Sequence, residues 1–242
     1  MKLDGATALV TGTNRGLGHH FATELLRRGA KVYATARRPE LVEIPGAEVL
    51  RLDITDQASV EAAASVATDV DVLINNAAFT AGGNLVTGDL DAIRQVMDSN
   101  YYGTLAMIRA FAPILARNGG GAILNVLSAV AWTTVDGNTS YAAAKSAAWG
   151  LTNGVRVELA AQGTHVAALV PFLIATETLK EYLGNAGVDI SEEVMDDPAD
   201  LARLALDGIE AGEVEILDRL SAEAKATLTG PPQALDLSAV GS

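Results

Sequence analysis

Short apolar runs and longer amphipathic stretches alternate along the chain. Runs dominated by Ala, Val, Leu and Ile occur at Thr7–Thr11, Lys31–Thr35, Glu48–Leu52, Val70–Ile74, Ala122–Leu127, His165–Val170 and Glu213–Leu217. Several are almost wholly apolar, which predicts strands buried on both faces, as in a parallel sheet. Between them, helical patterns cover Gly16–Arg28, Gln57–Ala67, Asp89–Arg117, Tyr141–Gln162 and Pro198–Ala211. The last has Asp197 placed to cap it and Pro198 at its first position. A closing helix is expected over Ser221–Leu228, ended by Gly230-Pro231-Pro232. This alternation predicts an α/β fold with a doubly wound parallel sheet of about seven strands and helices on both faces. No linker, repeat or charge-segregated half marks a boundary, so a single domain over residues 1–242 is expected. Residues 172–197 lack a clear periodicity and follow the sixth strand. Loops beyond the carboxyl ends of parallel strands are where such folds bind ligands, so this stretch is expected to be a substrate lid.

Composition narrows the function classes. With 17 basic and 30 acidic residues the formal net charge is −13, which speaks against partnership with a nucleic acid or an anionic membrane. A small anionic ligand sees only its local site and is not excluded. There is no cysteine, which removes disulfides, thiolate nucleophiles and Cys-ligated zinc. The run at Ala6–Val10 is too short for a signal-peptide core, and Val166–Ala175 contains Pro171 and is too short to span a bilayer. A cytoplasmic location is the default expectation. His19, His20 and His165 are the only histidines, each expected to be structural, and no metal site is expected.

The first strand runs into Thr11-Gly12-Thr13-Asn14-Arg15-Gly16-Leu17-Gly18 and then directly into a helix. Glycine in such a loop lets the chain turn sharply, lets a pyrophosphate approach the main chain, and lets the helix pack on the strand with its N-terminus toward the phosphates. The spacing Thr-Gly-x-x-x-Gly-x-Gly resembles the cofactor loop of the short-chain dehydrogenase/reductase family, whose members are single-domain Rossmann enzymes. Cofactor choice is argued from charge. An acid about 20 residues past the loop would take a ribose 2′-hydroxyl, and an arginine a 2′-phosphate. Here the second strand ends in Thr35-Ala36-Arg37-Arg38 with no acid between Ala30 and Pro39, and Arg15 adds a third cation. NADP(H) is therefore the expected cofactor.

The same resemblance assigns further contacts to the dinucleotide. Gly12, Asn14, Arg15, Gly16, Leu17 and Gly18 form the loop. Asp53 and Ile54 correspond to the adenine edge, although Asp53 is equally placed to cap the next helix. Asn75-Asn76-Ala77-Ala78 resembles the family's Asn-Asn-Ala-Gly segment, with Asn75 and Ala77 at the cofactor. Ala78 replaces a glycine, and a positive φ there would cost about 1 kcal/mol. Pro171-Phe172-Leu173-Ile174-Ala175-Thr176 resembles Pro-Gly-x-Val-x-Thr, which implies that Pro171, Ile174 and Thr176 hold the nicotinamide. Phe172 in place of glycine is the clearest departure.

Tyr141 and Lys145 are one helical turn apart, so both project from one face. An ammonium beside a phenol favours the phenolate and is expected to lower the tyrosine pKa. Ser128 follows the fifth strand and Asn100 lies in the long helix upstream. The set Asn100, Ser128, Tyr141 and Lys145 matches the family's catalytic tetrad in order and spacing. The resemblance implies that Tyr141 donates a proton to a carbonyl as hydride arrives and that Ser128 holds the carbonyl oxygen. It further implies that Lys145 tunes Tyr141 and binds the nicotinamide ribose, while Asn100 supports a proton relay. Tyr141 and Lys145 thus count among the cofactor residues as well.

Substrate walls are expected from Phe79, Val130, Trp132, Phe172, Leu173, Leu179 and Tyr182, mostly apolar and without Arg or His. A hydrophobic ketone or aldehyde fits better than a keto acid. Small residues such as Ala142–Ala144, Ala147, Ala148 and Gly150 permit close helix approach, and the resemblance implies a homodimer or homotetramer; packing on the chain's own sheet is the alternative. The rival functions are an NAD(H)-dependent secondary alcohol dehydrogenase and a catalytically inactive dinucleotide-binding sensor or scaffold.

Overall fold

In a computed structural model of the chain, residues 1–80, 83–186, 190–191 and 194–228 are described. The strands are β1 (Thr7–Thr11), β2 (Lys31–Ala36), β3 (Glu48–Arg51), β4 (Val72–Asn75), β5 (Ala122–Val126), β6 (His165–Val170) and β7 (Glu215–Leu217). They form one sheet of order β3-β2-β1-β4-β5-β6-β7, parallel throughout. The helices are α1 (Gly16–Arg27), α2 (Gln57–Val66), α3 (Leu90–Met97), α4 (Thr104–Arg117), α5 (Thr139–Glu158), α6 (Glu177–Ala186), α7 (Pro198–Ala211) and α8 (Arg219–Ala226).

The period-two alternation of strand side chains divides the core between the two faces. Ala8, Val10, Val72 and Ile74 point to one face, where Phe21 and Leu25 of α1 and Leu201 and Leu206 of α7 cover them. Leu9, Leu73 and Ile123 point to the other and meet Val60 of α2, Phe111 of α4 and Val155 of α5. The arrangement is the doubly wound α/β fold expected from the strand–helix alternation.

Two stretches differ from expectation. The helix predicted over Asp89–Arg117 is interrupted at Asp98–Gly103 by a wider π-helical turn between α3 and α4. The Asn100 amide nitrogen donates to the Val96 carbonyl at 2.9 Å, so a side chain takes an acceptor that the ordinary helical ladder uses for a backbone N–H. Residues 172–197 are not wholly irregular either. They contain α6, whose Leu179 and Leu183 lie one turn apart and join Leu173, Ile190 and Phe172 in a small apolar cluster. The closing helix begins two residues earlier than predicted, at Arg219, because Asp218 accepts from the Ser221 N–H and caps it; Gly230, Pro231 and Pro232 lie outside the described residues.

The last residue of β4, Asn75, is turned away from the strand-end crevice. Its amide donates to Asn125 on β5, Asn125 donates to Thr152 on α5, and Thr152 donates to the Ala148 carbonyl. Asn125→Ala removes the partner of a buried amide, and we expect a loss of about 2–3 kcal/mol, read as a lower urea midpoint at unchanged slope.

Candidate active site

The order in which strands are added reverses between β1 and β4, and the crevice at this switch point opens into a cavity of about 710 Å³ at the carboxyl ends of the strands. Its floor is stitched from both sides. The Thr11 hydroxyl receives the Asn76 and Ala77 N–H groups, each at 2.9 Å, and the Asn76 amide donates to the Thr11 carbonyl at 2.9 Å and the Gly12 carbonyl at 3.2 Å. Gly12 takes φ +72° and packs against Ala77. At Gly18 a Cβ would lie 2.2 Å from the Gly12 oxygen, so the first turn of α1 closes on the loop only because that position carries no side chain.

Gly12, Asn14, Arg15, Gly16 and Leu17 line one end of the cavity, with Arg37 and Arg38 from the end of β2 beside them. Three guanidinium groups and a helix N-terminus gathered on one rim suit a bound anion. Asp53 and Ile54 line the same end. Asp53 accepts from the Thr55 N–H and hydroxyl, whereas Asp56 is the residue that caps α2. Capping therefore does not account for Asp53. Ala77 lines the middle of the cavity, and Ala78 does so without strain, since among the described residues only glycines take a positive φ.

At the other end, Ser128, Tyr141 and Lys145 converge from the end of β5 and the first turns of α5. The Lys145 ammonium lies 5.4 Å from the centre of the Tyr141 ring and donates to the Val126 carbonyl at 2.9 Å. Burial pushes Lys145 down to about 8 and the Tyr141 hydroxyl above its ordinary value. The expected lowering of Tyr141 by its neighbour is not what the protein alone shows: burial raises the phenol, because desolvation penalises the charged forms of both groups. Tyr141 is a neutral phenol at neutral pH, which is the form that can give up a proton. Pro171, Phe172, Ile174 and Thr176 line this end, as do Phe79, Val130, Leu173 and Leu179.

Four of the sequence-predicted residues lie off the cavity. Gly18 sits behind the loop, and Asn75 points to Asn125, leaving Asn76 as the asparagine at the crevice. Asn100 is buried behind the wall, donating to the carbonyls of Phe79 and Val96 while its own oxygen has no protein partner. Trp132 stacks edge-to-face on Trp149 with the Lys225 ammonium over its ring, so it belongs to the packing around α8. Tyr182 is on α6, and its side chain lies outside the described residues. Conversely, Asn76, Val135, Asn138 and Leu183 line the cavity without having been singled out. Leu183 was legible as the partner of Leu179 one turn on. Asn138 stands one turn before Tyr141, a spacing that places both on one face.

Phe172, the departure from the family pattern, is held by one carboxylate and flanked by a main-chain bridge. Its N–H donates to Asp218 at 2.6 Å, and Asp218 also caps α8. Asp196 bonds both sides of the neighbouring segment, donating its N–H to Leu173 and accepting from Ala175. Burial, and then the neighbouring Asp218 charge, push the Asp196 carboxyl up to about 6. An acid raised in this way holds its proton more tightly folded than unfolded, so its contribution to stability is present at low pH and is lost as pH rises from about 4 to about 6. We expect Asp196→Asn to raise the melting temperature at pH 7 by about 2–4 °C, corresponding to about 1 kcal/mol after solvent screening, with the gain vanishing toward pH 4 in a thermal scan series.

Residues 6–186 match the family model described as short chain dehydrogenase. A solved structure of a short-chain dehydrogenase from Burkholderia cenocepacia J2315, in complex with NADP, superposes with a TM-score of 0.87 at 36% identity over 95% of each chain. Another, from Sphingobium yanoikuyae in complex with NADPH, gives 0.74 at 26% identity, covering 96% of this chain and 98% of its own. The 3-oxoacyl-[acyl-carrier-protein] reductase of Vibrio harveyi is 33% identical over 74% of this chain and 78% of its own length. Strand order, glycine loop and these similarities together make the chain a member of the short-chain dehydrogenase/reductase family of oxidoreductases.

Proposed function

We propose that the protein is an NADP(H)-dependent carbonyl reductase, reversible as an alcohol dehydrogenase, acting on an apolar ketone or aldehyde. The observation that carries the reading is the convergence of Ser128, Tyr141 and Lys145 at one end of a cavity whose other end gathers Arg15, Arg37 and Arg38. The chain's residues fit the dinucleotide: a glycine loop pressed against its own helix, a free helix N-terminus for a pyrophosphate, and guanidinium groups for a 2′-phosphate. Two relatives seen with NADP or NADPH support the choice of cofactor. Bound there, the dinucleotide supplies the hydride that reduces the carbonyl carbon.

Within this reading Tyr141 gives its proton to the carbonyl oxygen, which burial favours by keeping the phenol neutral. Ser128 holds that oxygen by hydrogen bond, so that negative charge developing on it meets a donor already in place. Lys145 stabilises the phenolate left behind and would hold the ribose of a bound nicotinamide. Asn100 anchors the Phe79 carbonyl, and its unpartnered oxygen suits the acceptor role in the relay that the resemblance implies. The walls near Tyr141 come from Phe79, Val130, Val135, Phe172, Leu179 and Leu183, which favours an apolar substrate. Residues 172–197 act as the lid, in which Leu173, Leu179, Leu183 and Ile190 pack together.

Assembly into a homodimer or homotetramer and a cytoplasmic location belong to the same reading. Ala148 packs on the chain's own sheet and Ala142 and Ala144 are buried within the protein, whereas Tyr102 and Val157 are exposed and support self-association. Among the described residues no helix is long and apolar enough to cross a membrane.

Oxidation of NADPH by a panel of apolar ketones and aldehydes tests the reading. Tyr141→Phe is expected to lower kcat by about 10²–10⁴-fold with the dinucleotide Kd preserved. Arg37→Ala is expected to weaken NADPH about 10- to 100-fold and NADH little, as loss of a charge-assisted hydrogen bond predicts. Turnover of no carbonyl with intact dinucleotide binding would favour the sensor, and equal affinity for NADH in the unaltered chain the NAD(H)-dependent dehydrogenase.

A further inference from the structure

Helix α5 begins without the cap its sequence offers. Asn138 occupies the cap position, and asparagine is among the best residues there, yet its side chain makes no capping hydrogen bond. It lines the cavity instead. The start of the helix is held from another part of the chain. The Gly83 carbonyl accepts from the Ser140 N–H at 3.3 Å, and the Gly83 N–H donates to the Gly137 carbonyl at 2.7 Å. Leu85 donates its N–H to the Thr139 hydroxyl at 2.9 Å.

At the centre of this contact is Asn84. Its amide nitrogen donates to the Asp136 carboxylate at 2.8 Å, while its oxygen accepts from the Gly137 N–H at 2.9 Å and from the Thr139 hydroxyl at 3.4 Å. One half-buried amide thus spans the residues that lead into the turn bearing Tyr141. The backbone that Asn84 grips lies beside Val135 and Asn138, which line the cavity. This clamp therefore bears on the angle at which α5 enters the cavity wall.

We propose that Asn84 is a positioning residue: through Asp136, Gly137 and Thr139 it holds the first turn of α5 so that Tyr141 faces the carbonyl, and it leaves the Asn138 side chain free for the cavity. The proposal rests on Tyr141 being the proton donor.

Four chains test it: the unaltered protein, Asn84→Ala, Asn84→Asp, and Asn84→Asp combined with Asp136→Asn. Asn84→Asp sets a carboxylate against Asp136, and the double variant restores the bond with donor and acceptor exchanged. For the ketone reduced fastest by the unaltered chain, kcat is expected to fall about tenfold in both single variants and to return to within about twofold in the double variant, with NADPH Kd unchanged throughout. Hydrogen exchange supplies a readout independent of turnover: the amides of residues 140–142 are expected to exchange about tenfold faster in Asn84→Ala, with the remainder of α5 unaffected. Unchanged exchange, unchanged kcat in Asn84→Ala, or a double variant no better than Asn84→Asp would each overturn the proposal. If Asn84→Ala does not fold, the Asn84→Asp and double-variant pair decides. If the unaltered chain reduces no carbonyl, the functional reading fails while exchange still decides whether the clamp exists.

Discussion

Two parallel strands whose connections depart in different directions leave a gap at their carboxyl ends, and something must hold that gap at a fixed width. Between β1 and β4 this is the pair of hydrogen bonds that the Asn76 and Ala77 N–H groups donate to the Thr11 hydroxyl, reinforced by the Asn76 amide on the Thr11 and Gly12 carbonyls. Everything at the glycine-loop end of the cavity is set from there. Gly12 lies against Ala77, Gly18 lies against Gly12, and α1 starts where that packing lets it. The sheet then carries the same geometry outward, because β4, β5 and β6 pair in continuous register up to the positions from which Ser128 and Pro171 emerge.

The two ends of the cavity are built on different electrostatic terms. At one end, cations stand on an accessible rim, where they attract an anion despite the acidic balance of the whole chain. At the other, Tyr141 and Lys145 are held where burial disfavours charge on either. Hydrogen bonds and developing charges count for more in such surroundings than in water. The lid side adds a third term, since Asp196 and Asp218 face each other across the segment that replaces the family's glycine with Phe172.

What could be read from residue order alone was what depends on local spacing. The strands, the glycine loop, the i, i+4 relation of Tyr141 and Lys145, and the arginines after β2 all follow from neighbours in the chain, and they lie where that spacing puts them. Asn75 was half legible: it follows Ile74 at the end of β4, and strand alternation alone would have pointed it to the opposite face, toward Asn125. The widened turn at Asn100 was hidden, because the apolar pattern runs through it and only a side-chain bond to Val96 reveals it. The capping of α5 by residues more than fifty positions away, and the meeting of Asp196 with Asp218, are products of tertiary packing and leave no local signal.

The π-helical turn at Asp98–Gly103 holds one more residue per turn than the helices on either side. Taking one residue out of it would let α3 run into α4 as a single regular helix, with little change in which faces either presents to the sheet. The cost would fall on the Asn100 amide, which now reaches the Phe79 carbonyl across the break. Geometrically the irregularity is equivalent to one extra residue in an uninterrupted helix, and through it an element of the core holds the backbone of a cavity-wall residue.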